Sequence, residues 1–248
     1  MLKLLVIQLG SIVAFIGVLV PIPGLSHSPD RSEISTYPNS SLLAQVDSYR
    51  ALADAARSEE QLAVQASANF DAAFEQLGSA NSNARVIKLT TVLIETSTQA
   101  ANHYQRSGEF GLRSLPYYAA DPAAQTALDT MYRLNLELAQ IFLGYGQISR
   151  QVRSAFRANN VPRINLLATK LQMLTEQRAE LMQMRQQIVQ AYRNRSNPAS
   201  AQLINNFSQQ MSNGLIQRGQ ATKCMVSNLP YGSASQVASN ASAYCNSP

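Results

Sequence analysis

Between residues 121 and 195, apolar residues recur in alternating steps of four and three on both sides of a break at Asn159-Asn160-Val161-Pro162. This spacing places a narrow apolar strip, here called the seam, along one side of each of two long helices, as in coiled-coil-like packing. Before the break the seam comprises Ala124, Leu128, Met131, Leu138, Phe142, Tyr145, Val152 and Phe156. After the break it comprises Ile164, Leu167, Leu171, Leu174, Leu181 and Ile188.

The first part of the chain has the same periodicity. Its seam comprises Leu42, Val46, Tyr49, Ala53, Ala56, Glu60, Ala63, Ser67, Phe70, Phe74 and Leu77. A second apolar face follows, made by Val86, Leu89, Leu93, Ala100 and Tyr104. We therefore predict four long helices, over residues 40–77, 83–106, 122–158 and 161–195, and a short fifth helix that begins at Asn197-Pro198.

The predicted fold is all-α, an antiparallel up-and-down bundle of four long helices with a short fifth helix and a disulfide-stapled C-terminal tail. We assign residues 40–220 to the bundle domain. Much of the 46% hydrophobic content is Ala, aromatic residues make up 7% and Trp is missing, so we expect a thin core built for close contact between helices.

The N-terminus resembles an export signal. A positive start at Lys3 precedes an uncharged run over residues 4–20, and small residues end the segment at Ser26. We predict a signal peptide over residues 1–26, removed after Ser26, or else an uncleaved N-terminal anchor. Residues 27–39 form a Ser- and Pro-rich flexible tether, and the remaining chain is exported, periplasmic or extracellular.

The C-terminal segment 221–248 is small, polar and poor in apolar residues. It contains both cysteines, Cys224 and Cys245. In an exported protein two cysteines most simply form one disulfide. Closing this loop contributes about 3 kcal/mol in the chain-entropy model.

Residues 107–120 are predicted to be irregular because Gly108, Gly111 and Pro116 interrupt regular structure. Two interpretations remain open. The segment forms a cap over one end of the bundle, which the sequence favours, or it forms a partner-binding loop. The side chains available for binding are Phe110, Leu112, Tyr117 and Tyr118.

Charge differs between the helices of a chain with a net charge of +5. Residues 40–77 carry a net charge of −4 and residues 161–195 carry +4, which suits a side-by-side arrangement of the first and fourth helices. A basic end is predicted at the turn between the third and fourth helices, from Arg150, Arg153, Arg157 and Arg163. It could bind lipid head groups or an acidic partner, but complementarity to a helix dipole is favoured.

Three polar residues fall in or near the seams at mid-bundle height: Glu60, Asn135 and Arg178, with Arg185 one heptad after Arg178. One hypothesis is that Glu60 and Arg178 meet, with Asn135 close to the same layer, and that this layer fixes the register of the helices. The alternative, which is favoured, is that both long side chains extend outward to water.

The sequence does not favour an enzyme. After the leader only His27 and His103 remain as histidines, and the chain has no phosphate-binding glycine loop or nucleophile elbow. We predict no cofactor, no metal and no nucleic-acid partner. The favoured function is an exported, non-enzymatic interaction or scaffold protein of the cell envelope with a protein partner.

Three alternatives accompany this prediction. One is a sensor or carrier that binds a small apolar ligand between helices. Another is a periplasmic component of a secretion or conjugation apparatus, since the helices are rich in Gln and Ala. A membrane-active amphipathic protein is disfavoured because the polar faces are rich in Gln rather than Lys.

Overall fold

The computed structural model describes residues 40–194 and 196–209, with side chains from residue 45 onward. The predicted leader over residues 1–26, the tether over 27–39 and the tail that carries Cys224 and Cys245 lie outside the described residues. The end of the predicted fifth helix also lies outside them. Cleavage of the leader and formation of the disulfide therefore stay predictions.

Four long helices form the described fold: α1 (Ser40–Gly78), α2 (Asn83–Ser114), α3 (Pro122–Arg157) and α4 (Val161–Arg193). A 3₁₀ turn, η1, covers Leu115–Tyr118, and residues 198–209 are also helical and are named α5. No strand occurs in residues 40–194 or 196–209. Consecutive long helices pack against each other, with α4 contacting mainly α3. The predicted all-α helical bundle is confirmed for this part of the chain.

Short polar side chains start three of the helices. Ser82, Asp121 and Asn160 each accept a hydrogen bond from the backbone N–H three residues later, at 3.3, 3.0 and 3.1 Å respectively. These bonds satisfy N–H groups that have no partner within the helix. Asn159 has a φ of 54°, a left-handed conformation that Asn tolerates, and this permits the tight turn from α3 to α4.

The predicted seams form the core. On α1, every seam residue from Ala53 to Leu77 is buried, and all the seam residues predicted on α3 and α4 are buried as well. Aromatic rings from three helices meet in this core, with centroids 4.7 Å apart for Phe70 and Tyr145 and 5.7 Å apart for Tyr104 and Phe142. Bulky rings from α1, α2 and α3 thus pack together in the core.

The predicted end of the second helix near residue 106 is wrong, because α2 continues to Ser114. Gly108 and Gly111 do not interrupt it, and both are buried against α3. A Cβ atom on Gly108 would lie 2.6 Å from the Leu136 side chain, and one on Gly111 would overlap the ring of Tyr132. The glycines therefore let α2 and α3 approach closely, which offsets their low helix propensity.

Candidate functional site

A buried polar layer crosses the interior of the bundle and takes one residue from each long helix. It consists of Glu60 on α1, Ser107 on α2, Asn135 on α3 and Arg185 on α4, all buried, and is named the central polar layer. Arg185 Nη2 donates a hydrogen bond to Glu60 Oε1 at 2.5 Å. Asn135 Nδ2 donates to Ser107 Oγ at 3.0 Å and to Glu60 Oε1 at 3.4 Å. The layer connects all four helices at one height.

The predicted contact between Glu60 and Arg178 is wrong. Arg178 lies one heptad earlier on α4 and donates to both carboxylate oxygens of Asp71, at 2.6 and 2.8 Å, and to Ser67 Oγ at 2.6 Å. Arg185 takes the place that the sequence assigned to Arg178. The favoured alternative, that both side chains extend to water, is also wrong, since Glu60 is 8% exposed and Arg178 is 5% exposed.

The error in register has a structural cause. The midpoints of α1 and α4 do not lie at the same height, because the two helices do not begin and end level with each other. Glu60 lies near the middle of α1, whereas its partner Arg185 lies close to the C-terminal end of α4 at Arg193. The first part of α1 therefore extends beyond the end of α4.

The Arg178 guanidinium occupies a mixed polar and aromatic environment. It lies over the Phe142 ring, 4.9 Å from the centroid, an arrangement that favours a cation. Burial by itself lowers the pKa of Arg178, but the hydrogen bonds and the charge of Asp71 outweigh it and raise the pKa above the ordinary value. Together with Glu60–Arg185, this ion pair links the acidic first helix to the basic fourth helix, although α4 packs mainly against α3.

The four candidate binding residues of the predicted cap pack onto the bundle. Phe110 and Leu112 lie on the last turns of α2, and Tyr117 and Tyr118 lie in η1. Tyr118 is buried in a small core cluster with residues of α1 and α3, and the other three are half-buried against that cluster. This packing agrees with the cap interpretation. Partner binding through these four residues stays a prediction.

The predicted basic end contains more cations than the sequence suggested. Arg150, Arg153 and Arg157 lie on the last turns of α3, and Arg163 lies on the first turn of α4. Arg153 Nη1 donates to Thr91 Oγ1 at 3.4 Å, which places the start of α2 beside the end of α3. The basic end is therefore defined by seven residues: Arg85, Lys88, Arg150, Arg153, Arg157, Arg163 and Lys170.

None of these seven cations forms an ion pair with a carboxylate of residues 45–194 or 196–209. By contrast, five arginines in the rest of the bundle do: Arg57, Arg106, Arg133, Arg178 and Arg185. Lys170 is only 6% exposed, and its pKa is lowered by burial and further by the charge of Arg163. The basic end therefore concentrates positive charge that the described chain does not neutralise.

Arg85, Lys88 and Lys170 were not identified from the sequence as members of the basic end. Lys170 falls beside the seam of α4, and Arg85 and Lys88 are distant from α3 along the chain. The predicted antiparallel topology could have identified the latter two, since it brings the start of α2 to the end of α3.

Within the described residues, no three His, Cys, Asp or Glu side chains group in an arrangement suited to a metal ion. No helix there combines the length and apolar character needed to cross a bilayer. His103 Nδ1 lies 2.6 Å from Glu59 Oε2, an ion pair between α2 and α1 when the ring is protonated. Comparisons with protein-family models, curated proteins and solved structures gave no match.

Proposed function

We propose that this chain is an exported, non-enzymatic interaction protein of the cell envelope, a helical scaffold whose basic end binds an acidic protein partner. A periplasmic secretion or conjugation apparatus is one setting in which such a scaffold would act. The observation that carries the proposal is the cluster of seven cations that have no carboxylate partner in the described residues.

Helix-dipole complementarity accounts for only part of this cluster. Arg157 lies in the last turn of α3, where the negative end of the dipole favours a cation. Arg85 and Arg163, however, lie three residues after the N-caps of α2 and α4, where the dipole disfavours positive charge. Their positions oppose local helix stability, and an external anion is the physical agent that would compensate for this.

The charges of the basic end also repel one another. Burial lowers the pKa of Lys170, and the charge of Arg163 lowers it further, which indicates that these two like charges lie close together. An acidic partner would relieve this repulsion, and its field would increase the rate of association. The cations repel one another in the free protein, and each would be attracted to the carboxylates of the partner in the complex.

The core supports a scaffold rather than a carrier of small apolar ligands. The small residues Ala63 and Ser67 on α1 could have left space between helices. Phe70 and Tyr145 are instead fully buried and pack ring against ring, and the fully buried Tyr104 stacks on Phe142. Such ring packing in the core suits a rigid body that presents its surface to a partner.

Site-specific photo-crosslinking in exporting cells tests the proposal. A photoreactive residue at exposed Ala84 or Ala158 samples the basic end without removing a cation, and one at exposed Ala119 samples the opposite end as a matched control. We expect an adduct with an acidic protein from positions 84 and 158 and no such adduct from 119. Equal adducts from all three positions, or adducts with lipid alone, would contradict the proposal.

A further inference from the structure

Two buried polar atoms of the central polar layer have no hydrogen-bond partner within the described residues. They are Asn135 Oδ1, an acceptor, and Arg185 Nε, which carries a donor hydrogen. Asn135 is fully buried and Arg185 is 3% exposed. Nearly all buried polar atoms in folded proteins are hydrogen-bonded, so each of these atoms calls for a partner.

Turning the Asn135 amide does not satisfy it. Nδ2 donates to both Ser107 Oγ and Glu60 Oε1 in the present orientation. The reverse orientation would place Oδ1 against the Glu60 carboxylate, so that two acceptors would face each other. The amide is therefore oriented correctly, and Asn135 Oδ1 still lacks a hydrogen-bond donor.

Arg185 has a similar constraint. Its bond to Glu60 runs from Nη2 to Oε1, and the guanidinium does not form the second, parallel bond that Nε could make to a carboxylate. An arginine stays protonated in proteins, so the Nε–H group cannot escape its donor role by losing a proton. One unpaired donor and one unpaired acceptor thus belong to the same layer.

We propose that the central polar layer binds one internal water molecule, which accepts a hydrogen bond from Arg185 Nε–H and donates one to Asn135 Oδ1. Water is the smallest ligand that supplies a donor and an acceptor together, and internal waters typically serve groups of this kind. The Glu60 side chain is 10% exposed, so the layer meets solvent at α1 and water can enter there. This water closes the hydrogen-bond network across α3 and α4. The proposal does not depend on the proposed function.

A high-resolution crystal structure of the full chain tests the water directly. We expect a density peak about 2.7–3.2 Å from both Arg185 Nε and Asn135 Oδ1. A direct bond between these two atoms, bonds from both to other protein groups without a peak, or separate waters on the two atoms would overturn the proposal.

Water relaxation dispersion, which counts long-lived internal waters in solution, provides a second test. The variant Glu60→Leu/Asn135→Leu/Arg185→Met replaces the polar layer with apolar side chains and should hold one fewer such water than the native protein. Thr130→Val is the matched control, since the buried Thr130 hydroxyl bonds only to the backbone of its own helix in the described structure. An unchanged number of long-lived waters in a folded triple variant would overturn the proposal. If that variant does not fold, the crystal structure of the native chain provides the test.

Discussion

Charged residues have different surroundings at the centre of the bundle and at its basic end. At the centre, Arg178 and Arg185 are buried, and each forms an ion pair with a carboxylate of α1. At the basic end, Arg85 and Arg157 are exposed and face no carboxylate of the described chain. Both regions use arginine, but only the central arginines are neutralised within the described structure.

The difference follows from the cost of burial. An unpaired arginine in a protein interior is costly because the guanidinium stays protonated, so a central arginine requires a partner in the fold. An exposed arginine is solvated by water and can remain unpaired until another molecule supplies an anion. The central cations should therefore affect stability, and the cations of the basic end should affect binding.

The largest effect is expected from Arg185→Met. This change removes the guanidinium that pairs with buried Glu60 and should lower the free energy of unfolding by about 3–5 kcal/mol. Urea unfolding measures the loss. In the exposed pair Arg133–Asp129, the matched change Arg133→Met should cost less than about 1 kcal/mol.

A double-mutant cycle completes this test. Glu60→Leu/Arg185→Met should be much more stable than Arg185→Met, because no uncompensated charge remains buried. Strictly additive losses from the two single changes would show that Glu60 and Arg185 do not interact in the folded protein.

A smaller effect is expected from Arg178→Lys. Lysine keeps the positive charge but cannot reproduce the two parallel bonds to Asp71 and the bond to Ser67. We expect a loss of about 1–3 kcal/mol in the free energy of unfolding, by the same urea measurement. Arg150→Lys, at the exposed basic end, is the control and should have no measurable effect. Equal losses from the two substitutions would remove the distinction between the regions.

Lys170 is the one cation of the basic end that is well buried, and Lys170→Met should raise stability at neutral pH by less than about 1 kcal/mol. The folded-state pKa of Lys170 is lowered from the ordinary 10.5, so the unfolded chain binds more protons between the two pKa values. The free energy of unfolding of the native protein should therefore rise with pH through that window. The difference in this free energy between Lys170→Met and the native protein should become smaller. Urea unfolding of both proteins at several pH values measures this difference. A difference that does not change with pH would contradict a lowered pKa of Lys170 in the folded protein.

The smallest effect on stability is expected at the exposed part of the basic end. The variant Arg85→Glu/Arg150→Glu/Arg157→Glu removes cations that have no described carboxylate partner, so its free energy of unfolding should lie within about 0.5 kcal/mol of the native value. A loss comparable to that of Arg185→Met would show that these cations hold the fold together.

Local periodicity in the sequence is sufficient to predict the helices and most of the core. The four-and-three spacing identifies Ala56, Phe70, Phe142 and Leu171 as interior residues, and all four are buried. The end of α2 was missed because the effect of Gly111 depends on the Tyr132 ring opposite it. Such a contact between helices leaves no signal in the local sequence.

The candidate site was predicted only in part, for the same reason. Glu60 and Arg178 were identified as polar seam residues, but their partners depend on how far α1 extends beyond α4. Asn135 was placed correctly near Glu60, whereas Ser107 was assigned to an irregular segment and was missed. Periodicity identifies the face on which a residue lies, and the relative heights of the helices require the three-dimensional structure.

The most direct test of the account is the yield of photo-crosslinked partner from position 158 in the native chain and in Arg85→Glu/Arg150→Glu/Arg157→Glu. If the cations of the basic end face an acidic partner, the adduct should disappear in the reversed variant while the protein remains folded. An adduct with the same protein at the same yield in both chains would contradict the proposed role of the basic end.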